Sequence, residues 1–304
     1  MPTPPMPASP SSRQVRIRRR RFAATAGAAL VLIALIAAIV APGSGRHAPR
    51  PSANGSVSHR AADPPPNAAA TRARERRAEE NAIDHVLSYT PTVSSGGAHG
   101  DEVALTFDDG PGPYTQQLVS VLNRLGAHAT FFAIGEEERY FSAGTQLELR
   151  SGDVVGDHTE THPPMASLSA HDQHEELFEQ IARIELLGGP RPRLFRPPYG
   201  SFNATTFREL HRMHLLMVLW STDTSDYTLP GIRAIVQRAL AGAHPGAILL
   251  MHDAGGDRSE TIAALPAIVS GLRKKGLQPV TIPRLMLDDP PPRGLPIPKS
   301  LAGD

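Results

Sequence analysis

The chain has 304 residues, which allows one or two ordinary domains, and 40% of them are hydrophobic, enough for a substantial core. The net charge is +1, and the composition gives no indication of a nucleic-acid-binding surface, so we expect no nucleic-acid partner. Cysteine is absent, which excludes thiolate metal sites, catalytic thiols and disulfides.

The N-terminal segment has the pattern of an export or anchoring signal. Six arginines lie between Arg13 and Arg21, and an uncharged run from Phe22 to Ala41 follows them. A helix of this length is about 30 Å long, the thickness of one bilayer core. Arginines before the span favour a cytoplasmic N-terminus. We therefore predict a cytoplasmic basic segment at 1–21 and a retained membrane anchor at 22–41. A cleaved signal peptide, which would release a secreted protein, is the alternative.

The following segment, 42–99, is predicted to be a linker. Pro, Ala, Ser, Gly and Arg dominate 42–67 without periodicity, a composition typical of disorder. A helix is predicted near 71–89. Within it, Ile83, Val86 and Leu87 form one apolar stripe that can pack against a domain.

Residues 100–286 alternate between short apolar runs and longer amphipathic runs. Strands are predicted in VALTFD, ATFFAIG, DVVGDH, RLFRPPYG, LLMVLWSTDTSD, GAILLMHD and LQPVTI. Helices are predicted between most of them, and one of these begins at the capping residue Ser169. This alternation predicts an α/β fold with a mostly parallel sheet, and the number of units favours a barrel or near-barrel. The Pro-rich tail, 287–304, has no predicted fold.

Ionisable side chains occur where five of the predicted strands end. In chain order they are Asp108 and Asp109, His158 and His162, Arg196 with Tyr199, Asp223 and Asp226, and His252. The carboxyl ends of parallel strands meet on one face of a sheet, and sites form there. Each group alone has an ordinary explanation, such as a turn, a helix cap or a core histidine. Their joint position at strand ends favours one shared site.

Two histidines and one carboxylate make an open metal site with room for water and substrate. Asp108 and Asp109 are neighbours and point in different directions. One can therefore bind the metal while the other accepts a proton from the attacking water. An imidazolium at His252 can protonate the leaving group if an aspartate orients it, and a backbone N–H near PPYG can stabilise the oxyanion. The residues alone thus predict metal-assisted hydrolysis of an acyl group.

Two other hydrolase classes fit less well, and one non-enzyme reading stays open. A zinc-protease helix carries glutamate directly after its first histidine, whereas Glu160 lies midway between His158 and His162. On a helix this offset turns Glu160 roughly 200° from His158. A glycoside hydrolase needs carboxylates at least ~5 Å apart on either side of the bond, which adjacent aspartates do not provide. A non-catalytic module that binds wall glycan is the non-enzyme alternative.

TFDDGP, HTETH, RPPYG, DTSDY and LLMH, in this order, resemble the five motifs of the NodB-like polysaccharide deacetylases (carbohydrate esterase family 4). The resemblance covers roughly Glu102–Met286, and ATFFAIG adds to it. It implies a distorted (β/α) barrel that removes acetyl groups from a glycan. It also implies a divalent metal, commonly zinc, with cobalt or another divalent ion as the alternative.

By motif position, the resemblance implies a role for each site residue. Asp109, His158 and His162 would bind the metal. Asp108 would be the general base, tuned by Arg196, and the Tyr199 backbone N–H would face the oxyanion. His252 would be the acid, tethered by Asp226 or, as the alternative, by Asp223. Leu250 would line the acetyl pocket, with Pro197, Tyr227 and Asp223 as further substrate-binding residues.

Two residues depart from the family pattern. Tyr227 stands where the family usually has tryptophan, and Asp157 stands where asparagine is common, which would add a negative charge near the metal. An anchor followed by a long linker would place the domain outside the cytoplasmic membrane, at the cell wall. Peptidoglycan amino sugars are therefore the favoured substrate, with chitin oligomers and O-acetylated xylan as alternatives. The catalytic domain is expected to be monomeric.

Overall fold

The structure, a computed structural model, describes residues 68–300. The predicted basic segment at 1–21, the predicted anchor at 22–41 and the first part of the predicted linker lie outside the described residues. Between residues 68 and 300, no helix is both long and apolar enough to span a membrane.

The described part of the chain has one sheet in which every pair of strands is parallel. Its strands are β1 (Thr92–Val93), β2 (Glu102–Asp108), β3 (Thr130–Ala133), β4 (Val154–Asp157), β5 (Leu194–Phe195), β6 (Leu216–Val218), β7 (Thr222–Asp223), β8 (Ile248–His252) and β9 (Gln278–Val280). The order is β1-β6-β5-β4-β3-β2-β8-β7, and β9 pairs with the start of β2. The sheet curls into a half-barrel, which confirms the predicted α/β class and parallel sheet.

Helices connect most of the strands, as the alternating pattern predicts. They are α1 (Ala68–Leu87), α2 (Thr115–Leu125), α3 (Gly135–Ser151), α4 (Ala170–Leu186), α5 (Ala204–Met213), α6 (Ile232–Gly242), α7 (Ser259–Lys274) and α8 (Ile282–Asp288). Three short 3₁₀ turns lie at Met165–Ser167, Pro198–Gly200 and Asp226–Thr228. The Ser169 hydroxyl accepts a hydrogen bond from the Asp172 amide and caps α4, as predicted.

The core is built on both faces of the sheet. Every residue of β2 after Glu102 is buried, because helices cover a parallel sheet on each side and its strands become continuous apolar runs. On one face, β2, β3 and β8 pack against α2, α6 and α7, with the rings of Phe107 and Phe131 stacked 5.3 Å apart. On the other face, β2 and β8 contribute Ala104 and Ile248 to a cluster that includes residues of α1 and α8.

The folded part extends beyond the predicted boundaries at 100 and 286. In α1, Ile83 and Val86 are buried in the same cluster as Ile282, so this helix packs on the domain. β1 pairs with β6, so the sheet begins before residue 100. In the Pro-rich tail, the Asp289 carboxylate accepts hydrogen bonds from the amides of His99 (2.7 Å) and Gly100 (2.8 Å). The tail begins as part of the fold because it satisfies these backbone donors.

Three other elements differ from the sequence pattern. LLMVLWSTDTSD, which reads as one strand, forms two: β6 lies beside β1 and β5, whereas β7 lies beside β8 at the opposite edge of the sheet. The pattern does not indicate α3 or α8. The first turn of α3 carries three glutamates, and the helix is kinked at Phe141, so its apolar periodicity is weak.

Candidate active site

The site lies at the carboxyl ends of the central strands. β2 ends at Asp108 and β8 ends at His252, and the register of the two strands pairs these two residues. β4 ends at Asp157, so His158 directly follows its carboxyl end and lies at the same end of the sheet as Asp108 and His252. β5 is followed by Arg196 and by the turn that contains Tyr199. The five predicted strand ends therefore meet, as expected for a parallel sheet.

Asp109, His158 and His162 bring three possible ligand atoms within 4.8 Å of one another. The Asp109 Oδ1 atom lies 3.6 Å from His158 Nε2 and 3.2 Å from His162 Nε2. Burial acts to raise the pKa of Asp109, but the two neighbouring histidines outweigh it and lower this pKa far below its usual range. The cluster therefore offers an ionised carboxylate and two imidazole nitrogens, the donor set of a catalytic zinc site.

The segment that carries the two histidines is a loop, and the helix assumed in the comparison with zinc proteases does not form. Thr159 and His162 have positive φ angles of 71° and 61°, and the Thr159 hydroxyl accepts a hydrogen bond from the His162 amide at 2.9 Å. Glu160 is buried and pairs with Arg139 of α3 and Arg183 of α4. It holds the loop between two helices.

A hydrogen bond fixes the ring of His158. Its Nδ1 atom lies 2.7 Å from the Arg196 carbonyl oxygen, which can only accept a hydrogen bond, so Nδ1 carries the proton and Nε2 faces Asp109. The ring of His162 has a different partner: its Nδ1 atom lies 3.1 Å from the Tyr199 hydroxyl oxygen.

Arg196 is fully buried beneath the site, and each nitrogen of its guanidinium donates at least one hydrogen bond. It donates to Asp108 Oδ1 at 2.7 Å and to the Thr106 hydroxyl at 2.8 Å. It also donates to the backbone carbonyls of Val218 (3.1 Å) and Leu219 (3.2 Å). Burial lowers the pKa of Arg196, and the Asp108 carboxylate opposes this shift. The other Asp108 oxygen, Oδ2, remains 3.8 Å from His158 Nε2.

His252 forms a pair with Asp226. Asp226 Oδ1 lies 2.8 Å from His252 Nδ1, and Asp226 Oδ2 accepts hydrogen bonds from the His252 amide at 2.9 Å and the Thr261 hydroxyl at 2.7 Å. Burial acts to lower the pKa of His252, but Asp226 outweighs it, so this pKa is raised. Burial acts to raise the pKa of Asp226, and the hydrogen bond from His252 turns the shift downward.

The structure places Asp223 away from this pair. The Asp223 carboxylate accepts a hydrogen bond from the Ser225 amide at 2.6 Å and lies 3.5 Å from the Tyr227 hydroxyl. The histidine therefore contacts the second aspartate of DTSD and not the first.

Two tyrosines form exposed edges of the site. Tyr199 and Tyr227 are 59% and 49% exposed, and their rings meet His162 and His252 edge-on, with ring centroids 4.7 and 5.3 Å apart. Leu250, on β8, and Pro197, at the start of the 3₁₀ turn, are buried. Tyr227 therefore retains an aromatic face at the position where the family usually has tryptophan.

The structure does not favour the negative charge that was expected at Asp157. It is fully buried, and burial raises its pKa well above the usual range, which favours the uncharged acid. Thr106 and Thr261 hydrogen-bond to Arg196 and Asp226 and were not among the predicted site residues. Thr106 lies two positions before Asp108 on an apolar strand, so the two side chains point to the same side of the sheet. This spacing in the sequence could have indicated that Thr106 belongs to the site. The sequence around Thr261 carries no comparable indication that this residue contacts the site.

Comparisons with known proteins identify the family of the chain. Residues 95–218 match the family model described as polysaccharide deacetylase. A peptidoglycan-N-acetylglucosamine deacetylase of Bacillus cereus is 36% identical over 195 residues, 60% of this chain and 87% of that protein. A chitooligosaccharide deacetylase of Sinorhizobium fredii is 33% identical over 202 residues, 62% of this chain and 94% of that protein.

A solved structure gives the same result for the fold. The crystal structure of the Bc1960 peptidoglycan N-acetylglucosamine deacetylase, in complex with 4-naphthalen-1-yl-N-oxidanyl-benzamide, superposes with a TM-score of 0.63 at 30% identity. The superposition covers 66% of this chain and 94% of that chain. With the motifs gathered at one face of the sheet, these similarities show that the chain belongs to the NodB-like polysaccharide deacetylases, a family of hydrolases.

Proposed function

We propose that this protein is a metal-dependent hydrolase that removes N-acetyl groups from the amino sugars of a cell-wall glycan, with peptidoglycan as the favoured substrate. One observation carries the proposal. Three groups lie together at the carboxyl end of the sheet. They are the possible ligand cluster, the Asp108 carboxylate held by buried Arg196, and His252 held by buried Asp226. A non-catalytic module would need the ligand cluster for neither folding nor binding.

Asp109, His158 and His162 would hold the metal. The ionised Asp109 carboxylate and the fixed tautomer of His158 suit zinc, and cobalt or another divalent ion accepts the same donors. When bound there, a divalent metal supplies Lewis acidity that activates water and polarises the acyl carbonyl.

The protein's own residues would then move two protons. Asp108, oriented through Oδ1 by Arg196, accepts a proton from the attacking water as the water oxygen bonds to the acetyl carbon. The Tyr199 backbone N–H donates to the oxyanion that forms. His252, held through Nδ1 by Asp226, donates a proton to the sugar nitrogen as the C–N bond breaks. The products are acetate and a free amino sugar.

The substrate class is supported by the relatives and by the rim of the site. The two relatives reported above are named for deacetylation of peptidoglycan N-acetylglucosamine and of chitooligosaccharide. The exposed faces of Tyr199 and Tyr227 are surfaces on which sugar rings can stack, and Leu250, Pro197 and Asp223 would complete the substrate contacts. A cell-wall substrate places the domain outside the cytoplasmic membrane, where the predicted anchor at 22–41 would hold it.

Acetate release tests this function. The full chain, stripped of metal, would be assayed on peptidoglycan, N-acetylglucosamine oligomers and O-acetylated xylan, with and without added zinc or cobalt. We expect acetate only with added metal and most rapidly from peptidoglycan. Faster release of acetate from the oligomers or from xylan would make that glycan, and not peptidoglycan, the favoured substrate. Metal binding without acetate from any substrate would contradict the proposed reaction, and the absence of both bound metal and acetate would favour a binding module.

The pH dependence of kcat tests the role of Asp226. As the acid, His252 must be protonated, so activity falls as pH rises through its pKa. Because Asp226 raises that pKa, Asp226→Asn should shift the alkaline limb of the profile to lower pH. Asp223→Asn is the matched control, since Asp223 does not touch His252. An alkaline limb that moves in the Asp223 variant instead would reassign the tether.

A further inference from the structure

The two histidines of the ligand cluster are held by different kinds of partner. His158 is 2% exposed, and its Nδ1 atom meets a backbone carbonyl, which no substitution of a side chain removes. The side chain of His162 is 21% exposed, and its Nδ1 atom meets the hydroxyl of Tyr199 at 3.1 Å. His162 is therefore the ligand whose ring orientation depends on a single side chain.

The backbone conformation on both sides of this contact is unusual. His162 has a φ of 61° and Tyr199 a φ of 59°, in the left-handed region that side-chain-bearing residues seldom adopt. The Thr159 hydroxyl restrains the first of these turns, and hydrogen bonds from the Gly200 and Ser201 amides to Pro197 and Pro198 restrain the second. The two strained turns bring the tyrosine ring edge-on to the imidazole, with centroids 4.7 Å apart. Such local strain persists only where the surrounding structure enforces it.

The chemistry of imidazole fixes the direction of the hydrogen bond. Nε2 of His162 faces Asp109, so Nε2 must offer its lone pair if the ring binds a metal. The proton of the neutral ring then resides on Nδ1, and the Tyr199 hydroxyl oxygen accepts a hydrogen bond from Nδ1–H. An acceptor at this place selects the tautomer that can bind and keeps the ring from rotating away.

We propose that the Tyr199 hydroxyl is a positioning group for the metal ligand His162. This inference rests on the proposed function and adds a second use of Tyr199, whose backbone N–H is proposed to face the oxyanion. Tyr199 then links the ligand cluster to the turn whose backbone N–H is proposed to face the oxyanion. Its side chain sets the position of His162 relative to that turn.

The test compares zinc affinity in the metal-stripped full chain, measured by competition with a chromophoric chelator. Tyr199→Phe removes only the hydroxyl and should weaken zinc binding roughly tenfold, the low end of the about 10–100-fold range for such partners, because both groups are partly exposed. The visible spectrum of the cobalt-loaded variant should also change, because the ring of His162 is less constrained. Tyr227→Phe is the matched control. It alters the other rim tyrosine, whose ring meets His252, and should leave zinc affinity unchanged.

Two further measurements separate the hydroxyl from ring packing and from the fold. Tyr199→Leu removes the ring as well. Weak zinc binding in this variant together with normal binding in Tyr199→Phe would assign the effect to packing and overturn the proposal. Equal affinity in all variants would overturn it too. The melting temperature of the metal-stripped chain should be the same with and without the hydroxyl, and a loss of affinity that merely follows a fall in melting temperature would indicate a structural role. An unaltered chain that binds no zinc would refute the proposed metal site itself, a result distinct from these.

Discussion

Asp108→Asn is expected to reduce deacetylation by about 10²–10⁴-fold, the usual contribution of a general base. The asparagine keeps the size of the side chain and can still accept a hydrogen bond from Arg196, but its amide cannot take the proton of the attacking water. Asp109, His158 and His162 are unchanged, so the variant should bind zinc as the unaltered chain does. The measurement is kcat for acetate release beside the zinc content of the purified protein.

Asp109→Asn is the informative counterpart, because it alters the adjacent carboxylate. This variant should lose metal as well as activity, since the ionised carboxylate is one of the three proposed ligands. The pair of variants thus separates proton transfer from metal binding. If Asp108→Asn retained activity within tenfold, or if it lost zinc while Asp109→Asn kept it, the two roles would have to be exchanged or abandoned.

Arg196→Met should lower the free energy of unfolding by about 3–5 kcal/mol, the cost of leaving a buried charge without its partner. Arg196 is fully buried, and methionine cannot supply hydrogen bonds to Asp108 or to the carbonyls of Val218 and Leu219. The guanidinium also stacks 4.2 Å from the centre of the Phe132 ring, so packing is lost as well. Urea unfolding followed by circular dichroism measures the difference.

Arg193→Met is the matched control, three residues earlier in the chain. Its ion pair with Asp84 is at the surface, where such pairs contribute about 0–1 kcal/mol. The double variant Asp108→Asn with Arg196→Met should be less destabilised than the sum of the two single variants, because no unpaired charge remains. An Arg196 variant as stable as the Arg193 variant would show that the buried pair does not hold the site together.

Much of the site was predictable because the chemistry lies in short, ordered motifs at strand ends. A parallel sheet brings its carboxyl ends together whatever the exact pairing, so Asp108, His158 and His252 could be expected at one face without knowledge of strand order. The strand order itself was not predictable. The separation of β6 from β7 depends on which neighbours each short segment pairs with, and pairing between distant segments leaves no local pattern.

The missed parts share a physical cause. The helical glutamates Glu138 and Glu148 are buried, and burial raises both pKa values, that of Glu138 to about 7. A pattern of polar letters gives no indication that such residues face a core, so α3 was not predicted. The hydroxyl of Thr261 holds Asp226 across 35 positions of sequence, and only tertiary structure reveals such a partner.

The pairing of β2 with β8 has a consequence for the spacing of the site residues. Asp108 and His252 stand opposite each other in neighbouring strands, which lie about 4.8 Å apart, and backbone hydrogen bonds set that spacing. The backbone separation between the proposed proton acceptor and the proposed proton donor is thus set by the sheet and does not depend on the loops. Rim residues such as Tyr227 lie outside these two strands, so a substitution there leaves this spacing unchanged.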